Sequence, residues 1–180
     1  MTKIGIFVGS RRNGSWNQKV ADDLTTLLPE TFETCQIEIH NLPFYESEWD
    51  QPETLPEPVR IARKIAEECD GFIFITPEYN RSIPAVIKNA LDILSRPYGS
   101  TRFTGKPTLI ATATPGAMGG FGANRDLRTV LSFLDAHLIQ QPEIHLSFVH
   151  QLYDAHGQLN SATQEFLEGA VAKFSAAFAR

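Results

Sequence analysis

The chain is poor in cysteine and has no long apolar run, which excludes several classes of protein. Only two cysteines, Cys35 and Cys69, occur among 180 residues, without metal-type or C-x-x-C spacing. Because both lie in apolar segments, buried unreactive thiols are expected. No stretch approaches the roughly 20 apolar residues that span a bilayer. In a signal peptide the positive charges precede the apolar run, whereas here Arg11 and Arg12 follow the short run Lys3–Gly9. We therefore expect a cytoplasmic protein without a membrane partner.

An excess of positive charge is also missing. The chain carries 16 Lys and Arg against 21 Asp and Glu, for a formal net charge of −5. A nucleic-acid binder normally shows a basic patch or stripe, so no nucleic-acid partner is expected. Hydrophobic residues make up 42% of the chain, enough for a sizeable core. Residues 1–180 are predicted to form a single domain.

Several catalytic fingerprints are absent. The chain has neither the dinucleotide motif G-x-G-x-x-G nor the nucleophile elbow G-x-S-x-G. Gly99–Pro107 resembles a Walker A loop only superficially, since it has one residue too many between its glycines and precedes a strand. The five histidines have no evident nucleophile partner or metal spacing. Neither a hydrolase nor a metal site is predicted.

Strand and helix patterns alternate along the chain. Continuous apolar runs indicate strands that are covered on both faces, and apolar residues at three-and-four spacing indicate helices. Five such pairs predict an α/β fold, a doubly wound, flavodoxin-like parallel sheet of five strands in the order 2-1-3-4-5, with helices on both faces. The predicted strands are Lys3–Gly9, Gln36–Leu42, Gly71–Thr76, Pro107–Ala113 and Ile144–Val149, and the predicted helices are Ser15–Leu28, Val59–Cys69, Pro84–Ser95, Asn124–His137 and Ala162–Phe178.

Ligands of such sheets bind beyond the carboxyl ends of the strands, so the loops after the first, third and fourth strands are the candidate site. The first loop, Gly9–Asn17, combines hydroxyls, amides and two arginines at the start of a helix. Free N–H groups and the positive end of a helix attract phosphate, and a guanidinium can bind two of its oxygens. A capped turn is the alternative, because Ser15-x-x-Gln18 has the capping-box pattern. Capping alone leaves the arginines unexplained.

The other two loops fit a planar ligand. The second loop, Thr76–Pro84, places an aromatic residue among polar groups, which suits the face and edge of a heterocycle. The alternative is a turn in which Asn80 or Ser82 caps the next helix. The third loop, Thr112–Gly122, has four glycines in its last seven residues, which permits close backbone approach to a ligand or simple mobility.

Three motifs resemble those of the NADPH-dependent FMN reductases, a group that includes bacterial quinone, chromate and azo-dye reductases. The resemblance runs from about Ile4 to Asp135, and its middle motif is highly specific. The motifs are Gly9-Ser10-x-Arg12-x-x-Ser15-x-Asn17, Thr76-Pro77-Glu78-Tyr79-Asn80-x-Ser82-Ile83-Pro84 and Lys88-Asn89-Ala90-x-Asp92-x-x-Ser95-Arg96.

The resemblance implies a bound FMN and a homodimer or homotetramer with the helix Pro84–Arg96 near the subunit contact. The FMN phosphate would lie in the first loop and the isoalloxazine against the second, with the third loop on its other flank. The implied cofactor-binding residues are Ser10, Arg12, Asn13, Gly14, Ser15, Trp16, Asn17, Pro77, Glu78, Tyr79, Asn80, Thr114, Gly116, Gly119 and Gly120.

Three positions depart from the family pattern. Ala85 replaces the usual glycine, Ile93 a frequent tryptophan and Gly122 the usual arginine. The last departure concerns acceptor preference and tetramerisation, not FMN binding.

The resemblance implies an enzyme that takes electrons from NADPH or NADH and passes them, by a ping-pong mechanism, to a quinone, flavin, azo compound or metal oxyanion. The cofactor would carry the chemistry, so no catalytic side chain is assigned, and Glu78 is expected to be structural. A flavodoxin-type electron carrier and a flavin-binding regulatory module without turnover are the alternatives.

Overall fold

A six-stranded parallel sheet forms the centre of the computed structural model, which describes residues 1–179. Along the sheet the order is β2-β1-β3-β4-β5, and β6 also pairs with β4. β5 and β6 therefore share one edge position, and the predicted order 2-1-3-4-5 is confirmed. The strands are β1 (Thr2–Val8), β2 (Phe32–Gln36), β3 (Gly71–Thr76), β4 (Pro107–Ala113), β5 (His137–Leu138) and β6 (Ile144–Leu146).

Helices cover both faces of the sheet, as the alternating pattern predicts. They are α1 (Trp16–Thr26), α2 (Glu57–Glu68), α3 (Ala85–Leu94), α4 (Phe121–Phe133) and α5 (Ser161–Ala176), and short 3₁₀ turns lie at Ser47–Asp50, Pro52–Thr54 and Val149–Gln151. No helix within residues 1–179 is long and apolar enough to cross a membrane.

The second strand was predicted in the wrong place. The segment Gln36–Leu42 was expected to pair, but β2 occupies Phe32–Gln36, opposite Thr2–Ile6. Ile37 and Ile39 are both buried, which accounts for the apolar pattern of this segment. Beyond β2, the backbone N–H of Ile37 still donates to the Ile6 carbonyl. These isoleucines therefore fill the core beside the end of an edge strand.

The fifth strand and the fourth helix also differ from their predicted bounds. Helix α4 begins at Phe121, after Gly120 at φ 83°, and ends before Asp135 at φ 59°. His137, predicted as helical, lies in β5 and pairs with Pro107 of β4. The predicted strand Ile144–Val149 is shortened because Phe148 adopts φ 47° and turns the chain.

Four phenylalanines form the centre of the core on the α2 and α3 face. Phe7 stacks on Phe74 with ring centroids 4.3 Å apart, and Phe72 and Phe103 surround the pair. All four side chains are fully buried. Phe103 comes from the segment that resembles a Walker A loop, so that loop is anchored to the core. This cluster fixes the position of β1 against β3, from whose ends two of the candidate loops leave.

Replacing Phe7 with alanine should lower the free energy of unfolding by about 3–5 kcal/mol, since it removes buried surface and leaves a cavity. Urea denaturation followed by circular dichroism measures the change. Phe133→Ala is the control, because the Phe133 side chain is 84% exposed and its loss should change stability by less than about 0.5 kcal/mol. Equal losses in the two variants would contradict this account of the core.

Candidate functional site

A cavity of about 320 Å³ opens where β1, β3 and β4 end. It brings together residues of all three predicted loops, as expected at the carboxyl ends of a doubly wound sheet. Its lining residues are Ser10, Arg12, Ser15, Trp16, Asn17, Pro77, Glu78, Tyr79, Ala113, Thr114 and Pro115.

Sequence reasoning predicted nine of these lining residues and missed Ala113 and Pro115. Ala113 is the last residue of β4, so its place at a strand end was the available signal. The other predicted site residues do not line this cavity: they are Asn13, Gly14, Asn80, Gly116, Gly119 and Gly120.

A second depression, of about 820 Å³, lies at the opposite end of the sheet, where the strands begin. Met1, Thr2 and Asp70 are among the residues that line it, and they lie at or next to the starts of β1 and β3. It carries none of the predicted site residues, and ligands of this fold class bind at the other end.

The first loop, part of which lines the cavity, contains a row of unpaired backbone amides. The N–H groups of residues 10–14, Trp16 and Asn17 have no acceptor within residues 1–179. Further into the helix, the backbone N–H of Gln18 does have a partner. It donates to Ser15 Oγ at 3.3 Å. Unpaired amides at the positive end of a helix form an anion-binding site.

The two arginines of the first loop have different surroundings. Arg11 donates to Asn41 Oδ1 at 2.7 Å. Arg12 lines the cavity and has no hydrogen-bond or ion-pair partner among residues 1–179. The predicted capping box is half formed, because the Gln18 side chain donates to Asp22 and Gln36 instead of returning to Ser15. Capping therefore accounts for Ser15, and Arg12 is available to a ligand.

Asn17 leaves a buried acceptor without a donor. Its side chain is 5% exposed, and its Nδ2 donates to the Ala113 carbonyl at 3.1 Å. Its Oδ1 is buried and unpaired. A buried polar atom without a partner costs about 1–3 kcal/mol, so a ligand hydroxyl or N–H that reached this oxygen would bind favourably.

The segment after β6 supports the first loop from outside. Trp16 stacks on Tyr153 at 5.4 Å, and the Lys19 ammonium lies 4.5 Å from the Tyr153 ring centroid. The Tyr153 hydroxyl donates to Asp23 at 2.7 Å. Burial, followed by this carboxylate, raises the pKa of Tyr153, so the tyrosine stays a neutral donor. Sequence reasoning found no signal in this segment.

The second loop is a tight hairpin turn. Tyr79 and Ser82 exchange two backbone hydrogen bonds of 2.9 and 3.0 Å, with Asn80 and Arg81 at φ 50° and 69° between them. The alternative that Asn80 or Ser82 caps the next helix is wrong: α3 follows Pro84 without a side-chain cap, and the Ser82 hydroxyl donates to Asp126. The hairpin holds the Tyr79 side chain at the cavity rim, 53% exposed.

Glu78 has structural partners, as expected. One carboxylate oxygen accepts the backbone N–H of Ala123 in the first turn of α4 at 3.2 Å, and the other lies 3.5 Å from Arg81. A carboxylate at a helix N-terminus is stabilised by the helix dipole. Glu78 therefore ties the second loop to α4 while it lines the cavity.

Two glycines of the third loop occupy positions where the fold leaves no room for a side chain. Gly119 and Gly120 have φ 58° and 83°, and a Cβ on either would lie within 3.0 Å of atoms of His145, Ser147 or Thr112. Their predicted place beside a ligand stays a prediction, and the protein atoms around them already require glycine at both positions. Thr114 alone of the predicted third-loop residues lines the cavity.

The family model for NADPH-dependent FMN reductase matches residues 2–151. The chain belongs to this family. A quinone reductase from Pseudomonas putida is 41% identical over 172 residues, which cover 96% of this chain and 92% of the relative. A 2-hydroxy-1,4-benzoquinone reductase from Burkholderia is 38% identical, covering 97% of this chain and 94% of the relative.

A solved structure shows the same fold over nearly the whole length. The flavoenzyme NAD(P)H:(acceptor) oxidoreductase FerB from Paracoccus denitrificans superposes with a TM-score of 0.90. It is 32% identical, and the match covers 98% of this chain and 96% of that chain. The expected family and fold are thereby confirmed.

Gly122, where the family usually has arginine, is in close contact with the second loop. A Cβ at this position would lie 2.6 Å from the Arg81 carbonyl oxygen and 2.9 Å from the Glu78 carboxylate. In this chain the hairpin and the start of α4 can approach so closely because residue 122 has no side chain.

Gly122→Ala should therefore destabilise the protein by about 1–3 kcal/mol, because the added methyl group overlaps backbone atoms. Gly169→Ala is the matched control, since Gly169 lies inside α5 with no atom within 4 Å of an added Cβ. That variant should gain about 0.5–1 kcal/mol from helix propensity. Thermal denaturation of both variants measures the difference, and a Gly122→Ala protein as stable as Gly169→Ala would show that the hairpin does not press on α4.

Proposed function

We propose that this chain is an FMN-dependent NAD(P)H oxidoreductase whose acceptor is a quinone. The observation that carries the proposal is the anion cradle of the first loop, where Arg12 lines the cavity and the amides of residues 10–14 have no acceptor within residues 1–179. The family of the chain and the printed names of its quinone-reducing relatives support the choice of cofactor and acceptor.

The residues of the cavity fit FMN at both of its ends. The amides of residues 10–14, with Arg12, suit a phosphate, and the unpaired Asn17 Oδ1 suits a hydroxyl donor such as a ribityl group supplies. Pro77 and Tyr79 offer apolar contact to a ring from the second loop, opposite Thr114 of the third. When bound, FMN supplies the hydride-accepting and electron-donating chemistry.

The protein itself binds and orients. Of the polar side chains that line the cavity, Glu78 is hydrogen-bonded to α4, Arg12 has no partner among residues 1–179, and Tyr79 lies at the rim. We assign none of them as a catalytic acid or base. The nicotinamide nucleotide and the quinone are therefore expected to use one open face in turn, with ping-pong kinetics and no essential acid or base.

Exposed apolar side chains of the second and third loops favour a flat organic acceptor over a metal oxyanion. Tyr79, Met118 and Phe121 are 53%, 52% and 41% exposed. Contiguous exposed apolar residues mark a binding surface, and the second and third loops meet here because Arg81 Nη1 lies 2.9 Å from Met118 Sδ. A homodimer or homotetramer, and a cytoplasmic location, stay predictions.

Arg12→Ala should weaken FMN binding by roughly one to two decades in Kd, because a charge-assisted hydrogen bond contributes about 1.5–3 kcal/mol. Fluorescence titration of apoprotein with FMN measures the constant. Arg11→Ala removes the same charge from the same loop, but Arg11 is bound to Asn41, so this control should change Kd little. Equal effects would mean that general charge, not the Arg12 contact, holds the phosphate.

The function is tested by steady-state kinetics of the purified yellow protein with NADPH or NADH and a benzoquinone. Parallel lines in double-reciprocal plots and rapid nucleotide oxidation are expected. A flavin-containing protein that oxidises neither nucleotide would be a carrier or a regulatory module instead, and a colourless protein that ignores added FMN would refute the cofactor assignment.

A further inference from the structure

The two cysteines, far apart in the chain, meet in the fold. Cys35 lies on the edge strand β2, and Cys69 follows the last residue of α2. Their Sγ atoms are 3.6 Å apart although 34 positions separate them in the sequence. The sequence predicted two unreactive buried thiols, and the structure makes them a pair.

A missing side chain on β1 provides the space for this pair. Gly5 is the β1 partner of Cys35 on one side and of Phe72 on the other. A Cβ on Gly5 would lie 3.1 Å from Cys69 Sγ and 2.9 Å from the Ile37 and Phe72 side chains. With glycine there, the two sulfurs share the layer between the sheet and α2. A disulfide bond is about 2.05 Å long, so they need to approach by roughly 1.5 Å.

The two thiols differ in access. Cys35 is half-buried, whereas Cys69 is 2% exposed and its thiol donates to the Ile65 carbonyl at 3.1 Å. Burial and the neighbouring Cys35 raise the pKa of Cys69 to about 12, against the opposing charges of Lys3 and Lys106. An oxidant therefore reaches Cys35 first, and Cys69, although its high pKa makes it a weak nucleophile, lies 3.6 Å from the sulfur that it would attack.

We propose that Cys35 and Cys69 are a reversible redox pair that closes to an intramolecular disulfide on exposure to a peroxide. Hydrogen peroxide transfers one oxygen to the Cys35 thiol, which gives a sulfenic acid and one water. The Cys69 sulfur then attacks the Cys35 sulfur, the S–O bond breaks, and a second water leaves with the Cys69 proton. Two thiols are oxidised, one peroxide is reduced to two waters, and a dithiol reductant reverses the change.

Such a bond would stabilise the fold without altering the candidate site. Neither cysteine lines the 320 Å³ cavity, and Gly5 lies within β1 while the cavity opens beyond its end. The closed loop would contain α2 and the two 3₁₀ turns before it. By restricting the unfolded chain, a disulfide of this kind should raise Tm by about 5–10 °C.

Intact mass and peptide mapping test the bond. Purified protein is treated with a small excess of hydrogen peroxide, quenched by alkylation and digested without reductant. A loss of two hydrogen atoms and a Cys35–Cys69 cross-linked peptide, both reversed by dithiothreitol, are expected. Sulfinic acid at Cys35, a dimer linked through Cys35, or two unmodified thiols after prolonged exposure would each overturn the proposal.

Melting curves of the oxidised and reduced protein test the consequence. Cys35→Ala leaves the buried Cys69 in place and should melt at one temperature with or without peroxide, whereas the unmodified chain should gain the stated shift on oxidation. If Cys35→Ala did not fold, the peptide map of the unmodified chain would still decide whether the bond forms. Oxidation that forms the bond but leaves Tm unchanged would refute the stabilising role.

Discussion

The site depends on a run of backbone amides that have no acceptor among the residues that the structure describes. In the order 2-1-3-4-5 the chain leaves β1 for one edge of the sheet and leaves β3 for the other, so a crevice opens between their carboxyl ends. The loop that leaves β1 lines this crevice through Ser10, Arg12 and Ser15, and its N–H groups at residues 10–14 have no acceptor within residues 1–179. The topology thereby creates both the space and the donors, and a dianionic phosphate is the chemistry that fits them.

Several contacts hold the turn after β1 in position. Four buried phenylalanines lock β1 against β3 beneath it, and the Trp16–Tyr153 stack holds its outer side. Glu78 joins the neighbouring hairpin to α4. A preorganised cradle loses little conformational entropy when its ligand binds, so these contacts contribute to affinity without touching the ligand.

The sequence predicted the parts of the fold and site that local patterns determine. Buried parallel strands are continuous apolar runs, so β1, β3 and β4 and the loops that leave them could be found from the residues alone. The true position of β2 could not be found in this way. Ile37 and Ile39 give the segment an apolar pattern because they are buried in the core, although they lie outside the strand. The Tyr153–Asp23 hydrogen bond spans 130 positions, and no local pattern announces such a contact.

The glycines show a deeper limit of sequence reasoning. Glycine is needed wherever a ligand or another backbone segment approaches too closely for a Cβ. The sequence shows the glycine but does not say which of the two neighbours is close. A Cβ on Gly119 or Gly120 would overlap protein atoms, and one on Gly122 would lie 2.6 Å from the Arg81 carbonyl oxygen. An arginine at residue 122 would have no room against the hairpin seen here. The departure of this chain from the pattern that the resemblance implies is therefore coupled to the shape of the second loop.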